Sequence, residues 1–205
     1  MFLAFPNFGP SPNGTLPQHG FHRESVTTVF DTTHLPTNLR MNFRFTKESL
    51  QIFPFKFEVL IVVTVFDGGF EYDVYIRNLE DGEILMPFCP GLHPYFATPY
   101  GVGRVRSASE SSWGTGGHLS HSEYLSARNN YSIEIPGSGI VQVEHEGLSE
   151  RGELVIWRDH SSYLCVEPVL GDYRLFEKPD GLWLPPKTPL RFRSVYRFTP
   201  EWDRR

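Results

Sequence analysis

Phe57–Phe66, F-E-V-L-I-V-V-T-V-F, runs into the turn Asp67-Gly68-Gly69 and then into Phe70–Arg77, F-E-Y-D-V-Y-I-R, and these residues decide the fold. The first run is apolar at both parities of a two-residue period. Its length and its Val and Ile content predict a central strand rather than a helix. In the second run Phe70, Tyr72, Val74 and Ile76 alternate with Glu71, Asp73, Tyr75 and Arg77, the pattern of a half-buried strand. A Gly-rich turn between two such runs predicts a β-hairpin.

The same grammar extends in both directions. Ser25–Phe30 is β-branched, and Leu39, Met41, Phe43 and Phe45 alternate with Arg40, Asn42 and Arg44. Tyr131–Ile135 and Ile140–His145 flank Pro136-Gly-Ser-Gly139, a second hairpin. Glu153–Trp157 and Tyr163–Val166 bracket a polar turn, and Leu190–Phe198 sets Leu190, Phe192, Tyr196 and Phe198 against Arg191, Arg193 and Arg197. Gly101–Ala127, rich in Gly and Ser, reads as one long loop. Helical periodicity over about 12 or more residues is absent. The chain is therefore expected to be all-β, a sandwich or barrel, with residues 1–205 forming one domain.

Composition narrows the function classes. A net charge of −5, a pI near 5.9 and scattered basic residues give no polyanion-binding stripe, so neither nucleic acid nor an anionic membrane is an expected partner. No run of about 18 or more apolar residues could span a bilayer as a helix. Cys89 and Cys165, without C-x-x-C spacing, read as small buried hydrophobes and suit a reducing, cytoplasmic setting. His118-x-x-His121 lacks further ligands at structural-site spacing, so no metal site is expected there.

One stretch carries chemistry. Met86–Phe96, M-P-F-C-P-G-L-H-P-Y-F, places His93 directly before a proline, which drives its backbone into the extended region among Phe88, Leu92, Tyr95 and Phe96. That context holds an imidazole still. G-L-H-P-Y-F resembles the histidine motif of the aldose 1-epimerase (mutarotase) family. Pro17–Arg23, P-Q-H-G-F-H-R, and Cys165–Pro168, C-V-E-P, resemble two further motifs of that family in the expected order. The likeness extends from Phe5-Pro-Asn-Phe-Gly9 to the ending L-W-L-P-P-K-T-P-L, and it is greatest to the branch that includes the glucose-6-phosphate 1-epimerases.

The resemblance implies a large antiparallel β-sandwich of the galactose mutarotase-like type, with a sugar site on the concave face of one sheet. It implies an isomerase that interconverts the α and β anomers of a hexose or hexose 6-phosphate by ring opening, without metal or organic cofactor. Glu167 matches the family's base and His93 its acid. His19 and Arg23 match groups that hold the sugar. Glu167 ends the apolar run Tyr163–Val166, a setting that raises a carboxyl pKa in the direction a general base needs.

Two departures from the family pattern add expectations. The chain begins where family members are several strands in, which would leave a sheet edge open and favour a homodimer. Ala127-Arg-Asn-Asn-Tyr131 lacks an aspartate that family members carry there. The alternative is a carbohydrate-binding β-sandwich that keeps the pocket without turnover. A glycoside-cleaving enzyme fits less well, because such enzymes use two carboxylates and only Glu167 stands in a recognisable motif.

Overall fold

The computed structural model describes residues 1–21, 29–98, 103–107, 113–114, 123–126, 130–148, 150–159 and 162–201. Two antiparallel sheets and a two-stranded accessory ribbon make up the described part. The architecture is the expected all-β sandwich.

The deciding hairpin forms as its pattern requires. Phe57–Phe66 and Gly69–Asn78 pair from Phe57↔Asn78 to Phe66↔Gly69, and Gly68 takes the positive φ of +73° that the two-residue connection demands. It lies inside a nine-stranded sheet. From one edge the order is Trp113–Gly114, Arg104–Ser107, Asn130–Ile135, Gly139–Glu146, Leu190–Pro200, Gly69–Asn78, Phe57–Phe66, Asn38–Arg44 and Val29–His34.

The two parities of these strands do different work. Val59, Ile61, Val74, Ile76 and Phe192 are buried on the inner face. On the outer face Arg191 pairs with Asp73 at 2.8 Å, Arg106 with Glu134 at 3.0 Å, and Arg193 with Glu71. Exposed pairs of this kind contribute about 0–1 kcal/mol each, so the inner face carries the stability. Phe57–Phe66 does have a partner on each side, as expected of a central strand. Its outer residues Leu60, Val62 and Thr64 are nonetheless only half-buried, and Val65 near its end is 61% exposed.

The smaller sheet runs Phe2–Ala4, Gly91–His93, Tyr163–Val169, Glu153–Asp159 and Glu123–Ser126, with Tyr95–Ala97 also paired to Tyr163–Val169. Leu154, Ile156, Leu164 and Val166 belong to one buried cluster with Val105, Ile133, Val141, Val143 and Tyr196 of the larger sheet. This is the contact that joins the layers. The opposite parity of the same strands, including Cys165 and Glu167, faces the other way.

One expectation needs correction. The segment 101–127 is not one loop, since Arg104–Ser107, Trp113–Gly114 and Glu123–Ser126 pair into the sheets. Their Gly- and Ser-rich composition hides strands whose partners lie elsewhere. A six-residue helix, Lys47–Ile52, is also present, held by a capping box between Thr46 and Ser49. It is too short to show a helical period. Among the described residues no helix is long and apolar enough to cross a membrane.

Candidate functional site

Sheet register creates the site. Gly91 pairs with Val169 and Tyr95 with Cys165, so the same antiparallel register sets His93 opposite Glu167. Pro94 interrupts the strand between its two halves, as the residue before a proline requires. Phe2 pairs with His93 and Val155 with Glu167. Phe2, His93, Glu167 and Val155 therefore form one row of side chains across four adjacent strands. Tyr95, Cys165 and Trp157 form the next row on the same face.

His93 Nε2 lies 3.1 Å from Glu167 Oε1, and both side chains are buried. The Phe2 and Tyr95 rings stack near the imidazole at 4.7 and 4.8 Å between centroids, which fixes its plane. Burial pushes the Glu167 carboxyl up to about 8; a hydrogen bond from the Cys165 thiol, which favours the charged form, offsets this only in part. Desolvation wins because the carboxylate sits at the floor of the sheet rather than at a strand end open to water. The raised value expected from its apolar neighbours is what the structure has.

His19 comes from a different part of the chain. It takes φ +65°, a left-handed conformation, and Gly20 follows with φ +70°. A Cβ on Gly20 would stand 1.9 Å from the Phe5 carbonyl oxygen, so only glycine fits. The Phe5–Gly9 segment and this turn are knitted together. Phe21 N–H donates to Phe5 O at 2.9 Å, His19 N–H donates to Gly9 O at 3.1 Å, and Gly9 N–H donates to His19 Nδ1 at 3.2 Å. The fully buried Asn7 amide donates to both Gly9 O and Pro17 O. Backbone strain of this kind persists only where the surroundings over-determine it, and it concentrates at functional sites.

The His19 ring stands edge-on to His93 at 5.2 Å between centroids. Both, with Glu167, line a cavity of about 270 Å³ whose walls include Phe2, Tyr95, Trp157 and Tyr173. That volume lies at the small end of small-molecule sites. Three of the four expected site residues thus meet at one cavity. Arg23 lies outside the described residues, as do His118 and His121.

Several wall residues carry no signal of their own in the sequence. Tyr95 is two positions beyond His93 on an extended segment, so strand alternation does place it on the same face. Tyr173, on the 3-10 turn Tyr173–Leu175, lines the cavity with its ring edge-on to Phe8 at 5.9 Å. Gln18 and Phe2 enter through the turn geometry and the edge pairing. Among the described residues one group brings metal-ligating atoms together: His93, Cys165 and Glu167, all within 4.8 Å of one another.

Solved structures share this fold. A protein from Synechocystis sp. PCC 6803 superposes with a TM-score of 0.70 at 22% identity, covering 97% of this chain and 78% of its own. A galactose mutarotase-like protein from Lactobacillus casei ATCC 334 gives 0.71 at 16% identity, covering 96% and 84%. A galactose mutarotase related enzyme from Lactobacillus acidophilus gives 0.70 at 20%, covering 97% and 83%. At these identities the likeness is one of fold. No curated protein matches the chain. The family model described as aldose 1-epimerase matches residues 2–113, a stretch that carries both cavity histidines and ends before Glu167. That match spans more than half of the sequence, and the chain belongs to the aldose 1-epimerase family.

Proposed function

We propose that this protein is a mutarotase that interconverts the α and β anomers of an aldohexose, with Glu167 as general base and His93 as general acid. The observation that carries the reading is the cross-strand pair itself, His93 Nε2 and Glu167 Oε1 at 3.1 Å on the floor of the cavity.

Ring opening needs a proton removed at one oxygen and delivered at another. The Glu167 carboxylate takes the proton of the C1 hydroxyl, the bond from C1 to the ring oxygen breaks, and His93 delivers a proton to that oxygen. The open aldehyde rotates about the bond between C1 and C2. Reclosure on the other face runs the transfers backwards, so each group recovers its starting state. Positioned acid and base groups contribute about 10²–10⁴-fold each, most when their pKa values lie near the working pH. A base titrating at about 8 meets that condition. His19, with Nδ1 accepting from the Gly9 amide, carries its proton on Nε2, which stands 3.3 Å from the Gln18 side-chain amide and can donate to a sugar oxygen that replaces that contact.

The test is polarimetry on freshly dissolved α-D-glucose and α-D-galactose, with glucose 6-phosphate followed by a coupled assay. The wild type is expected to speed the approach to anomeric equilibrium, and Glu167→Gln to lose that acceleration while still unfolding in one cooperative transition. The ranking of rates identifies the substrate, free or phosphorylated. A fully active Glu167→Gln variant would overturn the mechanism, and saturable sugar binding without acceleration would replace it with a binding function.

A further inference from the structure

We infer that His93, Cys165 and Glu167 form a binding site for one borderline-soft divalent cation, of the Zn²⁺ class, at the floor of the cavity. The donor set is an imidazole nitrogen, a sulfur and a carboxylate oxygen, which Zn²⁺ takes in tetrahedral sites with a fourth position open.

The geometry is close to what such an ion needs. Zinc bonds of about 2.0–2.1 Å to N and O and about 2.3 Å to S put tetrahedral ligand atoms roughly 3.3–3.6 Å apart. Here Nε2 and Oε1 stand 3.1 Å apart, and all three ligand atoms lie within 4.8 Å of one another. The ion draws the Cys165 sulfur in from that outer limit by rotation about its Cα–Cβ bond. Glu167 Oε1 is buried against His93 Nε2, so a cation seated at the cavity floor takes both atoms as ligands in place of their mutual contact.

The strand pattern explains why the sulfur is there. Cys165 and Glu167 are two positions apart on Tyr163–Val169 and share a face, and Cys165 lies between Tyr95 and Trp157 in its row. The thiol is fully buried, and its two fellow ligands line the cavity. Binding releases the thiol proton, and any proton on the carboxyl, to solvent. A thiolate, a carboxylate and a neutral imidazole then neutralise the divalent charge, which removes the main cost of burying it. The fourth position faces the cavity and takes water. An ion seated there occupies the two groups assigned above to acid and base, so it would inhibit reversibly. This last consequence rests on the proposed function, whereas the binding does not.

Cadmium titration of the intact protein, read by the ultraviolet charge-transfer absorption of a sulfur–metal bond, tests the site directly. The wild type and Cys89→Ser are expected to develop the band with one equivalent of Cd²⁺, and Cys165→Ser to lack it. Cys89 is the internal control, being buried elsewhere with its thiol against Gly171 O at 3.5 Å. Glu167→Gln and His93→Asn keep the thiol and are expected to bind Cd²⁺ roughly tenfold more weakly or worse. These two carry the test if Cys165→Ser does not fold. A wild type without the band, a band that survives in Cys165→Ser, or unchanged affinity in both ligand variants would overturn the proposal. Zn²⁺ inhibition of anomerisation is then measured separately. A protein that binds Cd²⁺ through Cys165 yet catalyses nothing keeps this site and loses the mutarotase reading.

Discussion

The Gly9 amide donates to His19 Nδ1 across 3.2 Å, while the His19 backbone sits at φ +65°. The ring is thus tied through Nδ1, with Nε2 3.3 Å from the Gln18 side-chain amide, and the backbone is held left-handed, a region that asparagine tolerates better than most residues. An asparagine side chain can accept the Gly9 hydrogen bond where Nδ1 does, yet it has no atom at the Nε2 position. His19→Asn is therefore expected to unfold within about 1 kcal/mol of the wild type while raising KM about tenfold, the value of one lost hydrogen bond to substrate. Thermal unfolding and anomerisation kinetics check the two halves. An unchanged KM would remove His19 from substrate binding.

Gly20 and Gly14 both take positive φ, +70° and +66°, but a Cβ on Gly20 would meet Phe5 O at 1.9 Å whereas one on Gly14 would meet nothing within 4 Å. Gly14→Ala carries only the conformational penalty of about 1–2 kcal/mol. Gly20→Ala carries that and must also part the Phe5–Gly9 segment from the histidine turn, so roughly 3 kcal/mol or more is expected. Denaturant unfolding of the two variants separates backbone preference from steric collision. Equal costs would mean that the turn opens without resistance.

The Glu167 carboxyl, pushed up to about 8 by burial, titrates within reach of ordinary assays. At pH 7 roughly a tenth of it is ionised, so kcat/KM is expected to rise with pH and level off above about 8. Stability moves the other way. Between its unfolded value near 4.5 and about 8 the folded chain holds a proton that the unfolded chain releases, so its contribution is full below 4.5 and falls by about 1.4 kcal/mol per pH unit up to 8. Glu167→Gln, which cannot ionise, is expected to gain stability relative to wild type as pH rises from 5 to 8. A constant difference across that range would show that the carboxyl titrates normally.

His145 contributes the opposite slope. Its ring is buried between Ser194 Oγ at 2.7 Å and Tyr131 Oη at 3.2 Å, and burial pushes its pKa down to about 3. From the unfolded value of 6.5 down to about 3 the unfolded chain binds a proton that the folded chain refuses, so stability is lost as pH falls through that window. Between 4.5 and 6.5 the two groups oppose each other, and only above 6.5 does the Glu167 slope stand alone. His145→Gln is therefore expected to flatten the acid side of the profile and leave the slope from 6.5 to 8 intact, as urea unfolding at a series of pH values would register.

Much of this protein was legible before any coordinates. Strand existence is a local property: alternation in Leu39–Phe45, Phe70–Arg77 and Leu190–Phe198 reports which side chains will be buried, because a strand has only two faces. The extended backbone at His93 follows from Pro94 alone. His19, Glu167 and His93 stood out through motif resemblance. Strand partners are another matter. Arg104–Ser107 and Glu123–Ser126 were unreadable because their stability comes from neighbours distant in sequence, and Lys47–Ile52 was too short to show its period. Sequence by itself determined the class of fold and which residues are candidates for chemistry. Only tertiary structure set Glu167 opposite His93, laid Cys165 between Tyr95 and Trp157, and brought Tyr173 to the cavity, since register is fixed by contacts across the chain and local patterning carries no record of it.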